Sequence, residues 1–87
     1  MQSVLIYTTK FCPFCIRAKH LLNSKNVAFT EISVDFNREK RAEMTQKAGG
    51  SRTVPQIWIG EQHIGGCNEL YALEQQQKLD GLLQANS

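Results

Sequence analysis

Val4-Leu5-Ile6-Tyr7 constrains this chain more than any other segment. An unbroken run of apolar, β-favouring residues, rather than an alternation, reads as a strand covered on both faces, the condition of strands in parallel sheets flanked by helices. A chain with such a strand must supply cover for two faces. The 87 residues present suffice for one core and not for two domains, because a domain of this size buries roughly 60% of the surface its unfolded chain exposes. The expectation is a single domain over residues 1–87.

The pattern that follows supplies the cover. Pro13 fits the first turn of a helix, where its missing N–H costs nothing, and Cys15, Ala18 and Leu22 fall on one helical face that should end near Lys25-Asn26. Residues 27–34, from Val27 to Val34, read as a second strand. Asn37 can cap a polar helix that stops at Gly49-Gly50. Residues 56–59 and 62–65 flank Gly60-Glu61, and Gly in the first central position suits the type II′ turn of an antiparallel hairpin. Gly65-Gly66 breaks the last strand, Asn68 is a good N-cap, and Leu70, Leu73, Leu79, Leu82 and Leu83 form the stripe of closing helices. The order βαβ-α-ββ-α predicts an α/β fold: a four-stranded mixed sheet with helices on both faces.

Composition narrows the function classes. The ten basic residues are dispersed and net charge is +2, so nothing selects nucleic acid or a membrane surface as partner. No stretch approaches the roughly 20 apolar residues of a spanning helix. The residues before Val4 carry no basic segment and lead into no long apolar stretch, so export is not expected. Three cysteines are too few for a disulfide scaffold, and the odd number favours a reducing, cytoplasmic setting.

Chemistry concentrates on Cys12. It falls between strand one and the first helix, at the carboxyl edge where α/β folds collect ligands. A helix N-terminus favours an anion, so the Cys12 thiol is expected to ionise below the usual value of about 8.5, helped by the charge of Lys10. Ionisation gains about 30-fold at neutral pH and the accompanying loss of nucleophilicity takes back about 20-fold, so attack changes little. The larger benefit is that a low-pKa sulfur leaves easily, which favours turnover. Cys15, one turn deeper on the face of Ala18 and Leu22, is the shielded candidate for a resolving thiol. The pair could also be half of a zinc site, but Cys67, His20 and His63 offer no second paired spacing.

Two further segments look ready for a ligand. Thr53-Val54-Pro55 precedes the third strand, where a proline leaves an edge at which an extended peptide could pair with the Val54 backbone, and a cis Val54-Pro55 bond would suit. Gly66-Cys67-Asn68-Glu69 opens a helix whose free N–H groups suit a carboxylate, while Glu69 could meet an ammonium group. Plainer roles fit the same residues: a trans proline at a strand start, a capped helix with surface charges, and Cys67 as a small buried hydrophobe.

Cys12-Pro13-Phe14-Cys15, Thr53-Val54-Pro55 and Gly65-Gly66-Cys67, in this order and at these separations, resemble the glutaredoxin family, most of all its bacterial dithiol glutaredoxin 3 type. The resemblance covers nearly the whole chain. It implies a thioredoxin-like fold, a cis Pro55, and glutathione as co-substrate with no bound cofactor. It further implies that Cys12 attacks disulfide-containing or glutathionylated proteins, becomes glutathionylated, and is released by a second glutathione or by Cys15. Oxidised glutathione would be reduced by a separate NADPH-dependent reductase. By the same resemblance Thr53, Val54 and Pro55 line the glutathione groove, Cys67, Asn68 and Glu69 hold the γ-glutamyl end, and Lys10, Phe14 and Arg52 complete the set. The sequence leaves the oligomeric state open, with a monomer as the default expectation.

Three positions depart from the family's pattern. Phe14 stands where Tyr is common and keeps the ring without the hydroxyl. Lys10 stands two residues before Cys12 rather than three, a place held by Thr9, with Arg52 as a second cation. Asn68-Glu69 replaces Asp-Asp. Two alternatives use the same residues: a module in which Cys12 of two protomers and two glutathiones hold an iron-sulfur cluster, against which Pro13 argues, and a thioredoxin-like protein fed directly by a reductase, which would leave Gly66-Cys67-Asn68-Glu69 without a ligand.

Overall fold

The computed structural model describes residues 2–85. Eight elements follow the expected order: β1 (Val4–Thr8), α1 (Pro13–Ser24), β2 (Thr30–Ser33), α2 (Arg38–Lys47), β3 (Gln56–Ile59), β4 (Gln62–Gly65), α3 (Cys67–Gln75) and α4 (Leu79–Gln84). They form one four-stranded sheet in the order β2-β1-β3-β4. β1 pairs parallel with β2 and antiparallel with β3, and β3 pairs antiparallel with β4.

The unbroken apolar run of β1 does serve both faces. Val4 and Ile6 join Ile57 and Ile59 of β3 under Ala18, Leu21 and Leu22 of α1, Leu70 of α3, and Leu79 and Leu83 of α4. On the other face Leu5 and Tyr7 join Trp58 of β3 and Ile32 of β2 beneath Met44. Met44 is the one buried residue of α2, which is otherwise polar. Alternation along each strand therefore splits the core into a large layer under three helices and a thin one under α2.

The second strand is shorter than expected, Thr30–Ser33 in place of residues 27–34. Val27 is taken by the end of α1: Asn26 adopts a left-handed φ of 57°, its N–H donates to the Asn23 carbonyl at 3.0 Å, and the Val27 N–H donates to the Leu22 carbonyl at 3.3 Å. This is the Schellman termination, and Val27 and Leu22 make its apolar contact within the larger core layer. The same motif ends α2, with Gly49 at φ 70°, and α3, with Gln77 at φ 60°. In the hairpin, φ is positive at Gly60, 59°, and not at Glu61, which is the type II′ pattern.

One cap moves. α3 begins at Cys67 with Gly66, not Asn68, as its N-cap, because the Glu69 carboxylate returns to the Gly66 N–H at 2.7 Å. Asn68 lies within the first turn. No helix among the described residues is long and apolar enough to cross a membrane.

Candidate active site

β1 delivers the chain to the carboxyl edge of the sheet and Pro13 starts α1 there, so Cys12 becomes the N-cap of α1. Its sulfur takes the role that a serine or aspartate oxygen usually has: Sγ accepts the Cys15 backbone N–H at 3.1 Å. On its other side the Cys12 thiol donates to the Val54 carbonyl at 3.8 Å. This double engagement leaves Cys12 only 8% exposed, less open to solvent than expected of an attacking group. Cys15 is deeper still, at 1%.

The two thiols are chemically unequal. Burial pushes the Cys15 thiol up to about 12, and its hydrogen bond with Cys12 pushes the same way, outweighing the lowering effects of the Thr9 backbone and the Lys19 charge. Cys15 therefore carries its proton through the physiological range. Burial also raises Cys67, against the lowering effect of Arg17, which suits a buried small side chain better than a nucleophile.

Beside Cys12 runs a groove lined by Phe14, Thr53, Val54, Pro55, Gly66, Cys67, Asn68 and Glu69. Eight residues from three separate stretches of sequence thus meet, all within the set singled out from the sequence or adjoining it. The Val54-Pro55 peptide bond is cis. Phe14 is half exposed and offers its ring to the groove. The N-terminus of α3 faces the same space, and its first N–H groups have no partner within their own helix. Close approach explains the paired glycines: a Cβ on Gly66 would sit 3.3 Å from the Pro55 carbonyl oxygen, and Gly65 holds φ 114° against the Glu69 side chain.

Lys10 and Arg52 lie elsewhere. The Lys10 N–H donates to Asp35 Oδ2 at 2.6 Å, and its ammonium sits 5.5 Å from the exposed Phe11 ring centroid. Arg52 lines a separate cleft with Arg38 and Arg41, and its carbonyl accepts from Arg41 Nη1 at 3.0 Å. Glu69 spends one carboxylate oxygen on capping its own helix. Sequence reasoning missed Gln56, a buried amide beneath the Thr53 segment. Its signal was available: a polar residue opening an apolar strand that pairs on both sides must find its own partners.

The glutaredoxin family profile matches residues 4–64 of the chain. A glutaredoxin from Pseudomonas aeruginosa is 61% identical over 85 residues, which cover 98% of this chain and all of that protein. Glutaredoxin 3 of Escherichia coli K12 is 54% identical across 95% of this chain and 99% of its own. Among solved structures, a buckwheat glutaredoxin-glutathione complex superposes with a TM-score of 0.83 at 29% identity, covering 92% of this chain and 74% of that one.

Proposed function

The chain belongs to the glutaredoxin family, and on that premise we propose how its cysteines and groove share the work. It is a glutathione-dependent thiol-disulfide oxidoreductase with a thioredoxin-like fold and a Cys12/Cys15 dithiol. The observation that carries the division of roles is the asymmetry of the pair. Cys12 sits at the start of α1 within reach of the groove, whereas Cys15 is sealed and strongly protonated.

In the proposed cycle the Cys12 sulfur, as thiolate, attacks the glutathionyl sulfur of a glutathionylated protein. The old S–S bond breaks, its electron pair and a proton go to the protein thiol, and Cys12 carries the glutathionyl group. A second glutathione then attacks that disulfide, giving oxidised glutathione and free Cys12. For a protein disulfide, Cys15 can attack instead, forming a Cys12–Cys15 disulfide that two glutathiones reduce. Loss of the Cys12 proton also removes its donation to the Val54 carbonyl, which frees that carbonyl for the backbone of an incoming peptide.

Thr53, Val54 and Pro55 are proposed to line the tripeptide site with Phe14 beneath it, and Cys67, Asn68 and Glu69 to receive its γ-glutamyl end through the first turn of α3. That a relative of the same fold was solved in complex with glutathione supports this reading. Lys10 and Arg52 are proposed as cations for the glycyl carboxylate, which requires their side chains to swing toward the groove. The whole chain is proposed to act as one monomeric cytoplasmic domain on disulfide-containing or glutathionylated proteins, with glutathione as co-substrate and no bound cofactor.

The test is turnover of a glutathione-cysteine mixed disulfide coupled to glutathione reductase and NADPH. Glutathione-dependent NADPH consumption is expected. Turnover without glutathione, driven directly by a thioredoxin reductase, would overturn the reading.

A further inference from the structure

Gln56 opens β3 at 3% exposure, and it and Thr8 are the buried polar residues among those described. Its amide nitrogen donates to the Thr53 carbonyl at 2.9 Å, to Thr53 Oγ1 at 3.1 Å and to Ser51 Oγ at 3.0 Å. A carbonyl only accepts, so the NH2 end of the amide must face Thr53 and the oxygen must face away. There Gln56 Oε1 lies 2.7 Å from Nε2 of His63. An amide oxygen also only accepts, so His63 carries a proton on Nε2, whether its ring is neutral or cationic. The His63 ring is itself fixed by stacking on Trp58, centroids 4.7 Å apart at 28°. Trp58 in turn meets Tyr7 edge-on at 5.5 Å and the Lys47 ammonium at 4.8 Å.

These contacts run in one direction, from an exposed ring on β4 through a buried amide to the loop that ends at the groove. We propose that Gln56 and His63 are positioning residues for glutathione: His63 fixes the Gln56 amide, and the amide sets the Ser51–Thr53 loop so that the Thr53-Val54 backbone meets the tripeptide in register. Neither touches Cys12, so they act on recognition of the glutathionyl group and not on sulfur exchange. The inference rests on the groove being the glutathione site, as argued under Proposed function.

The test uses four proteins, wild type, Gln56→Leu, His63→Phe and His63→Gln, each with its melting temperature. Gln56→Leu keeps the volume and loses every donor; His63→Phe keeps a ring on Trp58 and loses the N–H; His63→Gln restores a donor without the ring. With a glutathionylated peptide, KM is expected to rise about 3- to 10-fold in Gln56→Leu and about 2- to 4-fold in His63→Phe, as loss of one or two hydrogen bonds implies. The kcat should stay within about 2-fold, and His63→Gln should recover part of the loss. Unchanged KM in folded Gln56→Leu overturns the proposal, as does an equal rise in both His63 variants. Should Gln56→Leu not fold, the two His63 variants decide.

Amide hydrogen exchange over residues 51–54 in the unliganded proteins separates this inference from the reading beneath it. Faster exchange in Gln56→Leu and His63→Phe is expected whatever the substrate. Wild type without glutathione-dependent turnover would sink the functional reading, while unaltered exchange would sink the relay.

Discussion

The Cys12 sulfur accepts the backbone N–H of Cys15 at 3.1 Å, so the first cysteine caps the helix that buries the second. One atom thus serves both folding and chemistry. A substitution that keeps an acceptor at this position separates the two roles, and one that replaces the Cys15 side chain leaves the backbone cap in place.

Cys12→Ser should therefore keep a capped α1, since a hydroxyl caps well, yet abolish deglutathionylation. Cys15→Ser should retain most of that activity with glutathionylated substrates, because free glutathione resolves the mixed disulfide in its place, and lose more with protein disulfides. A coupled assay on both substrate types reads this directly. Equal loss in the two variants would refute the roles assigned.

The Cys15 thiol, pushed up to about 12 chiefly by burial, should resist alkylation at neutral pH. Labelling by iodoacetamide, followed by mass spectrometry, should mark Cys12 first at pH 7.5, with the Cys15 rate rising about tenfold per pH unit above that. The folded chain keeps this proton where an unfolded chain, with an ordinary thiol near 8.5, has released it. A raised acid makes stability fall as pH rises, here from about 8.5 towards 12. Tyr7, raised to about 12 by burial and by its bond to Glu43, acts in the same sense from about 10. Urea midpoints should drop between pH 8 and pH 10.5, and less steeply in Tyr7→Phe.

Gly65→Ala should cost about 1–3 kcal/mol, since φ 114° is unsuited to a side chain. The new Cβ would also lie 2.8 Å from Glu69 Oε1, displacing the carboxylate that caps α3. Chemical denaturation gives the first effect. A raised KM for the glutathionylated substrate with kcat retained would report the second.

Gln77→Gly should act in the opposite direction. Gln77 closes α3 at φ 60°, a left-handed position that glycine adopts without strain. A gain of about 0.5–1 kcal/mol is expected after the greater freedom of the unfolded glycine chain is deducted. Thermal unfolding decides, and no gain would mean that the strain at Gln77 is no larger than the added freedom of the unfolded glycine chain.

The order of elements and the two-sided burial of β1 were legible because periodicity records how many faces a segment hides. The cysteine pair was legible because Pro13 marks the helix start and so the position of Cys12. Two features were not. Residues 27–29 have strand-like composition, but the Schellman end of α1 takes the Val27 N–H. Asn68 outranks Gly66 as a cap by side chain, yet Glu69 caps from three residues downstream through the Gly66 N–H. Both cases turn on local hydrogen bonds at a helix end, which depend on backbone geometry that residue type alone does not announce.

The strand order leaves β2 and β4 with one flank unpaired each, the flank through which separate molecules most readily zip into fibrils. Both are four residues long, and Glu31 on one and Gln62 and His63 on the other interrupt any apolar strip. The two apolar interior strands, β1 and β3, lie side by side between these short polar borders. Crowded solutions of this protein should consequently stay clear, and a substitution such as Glu31→Val would open the fence.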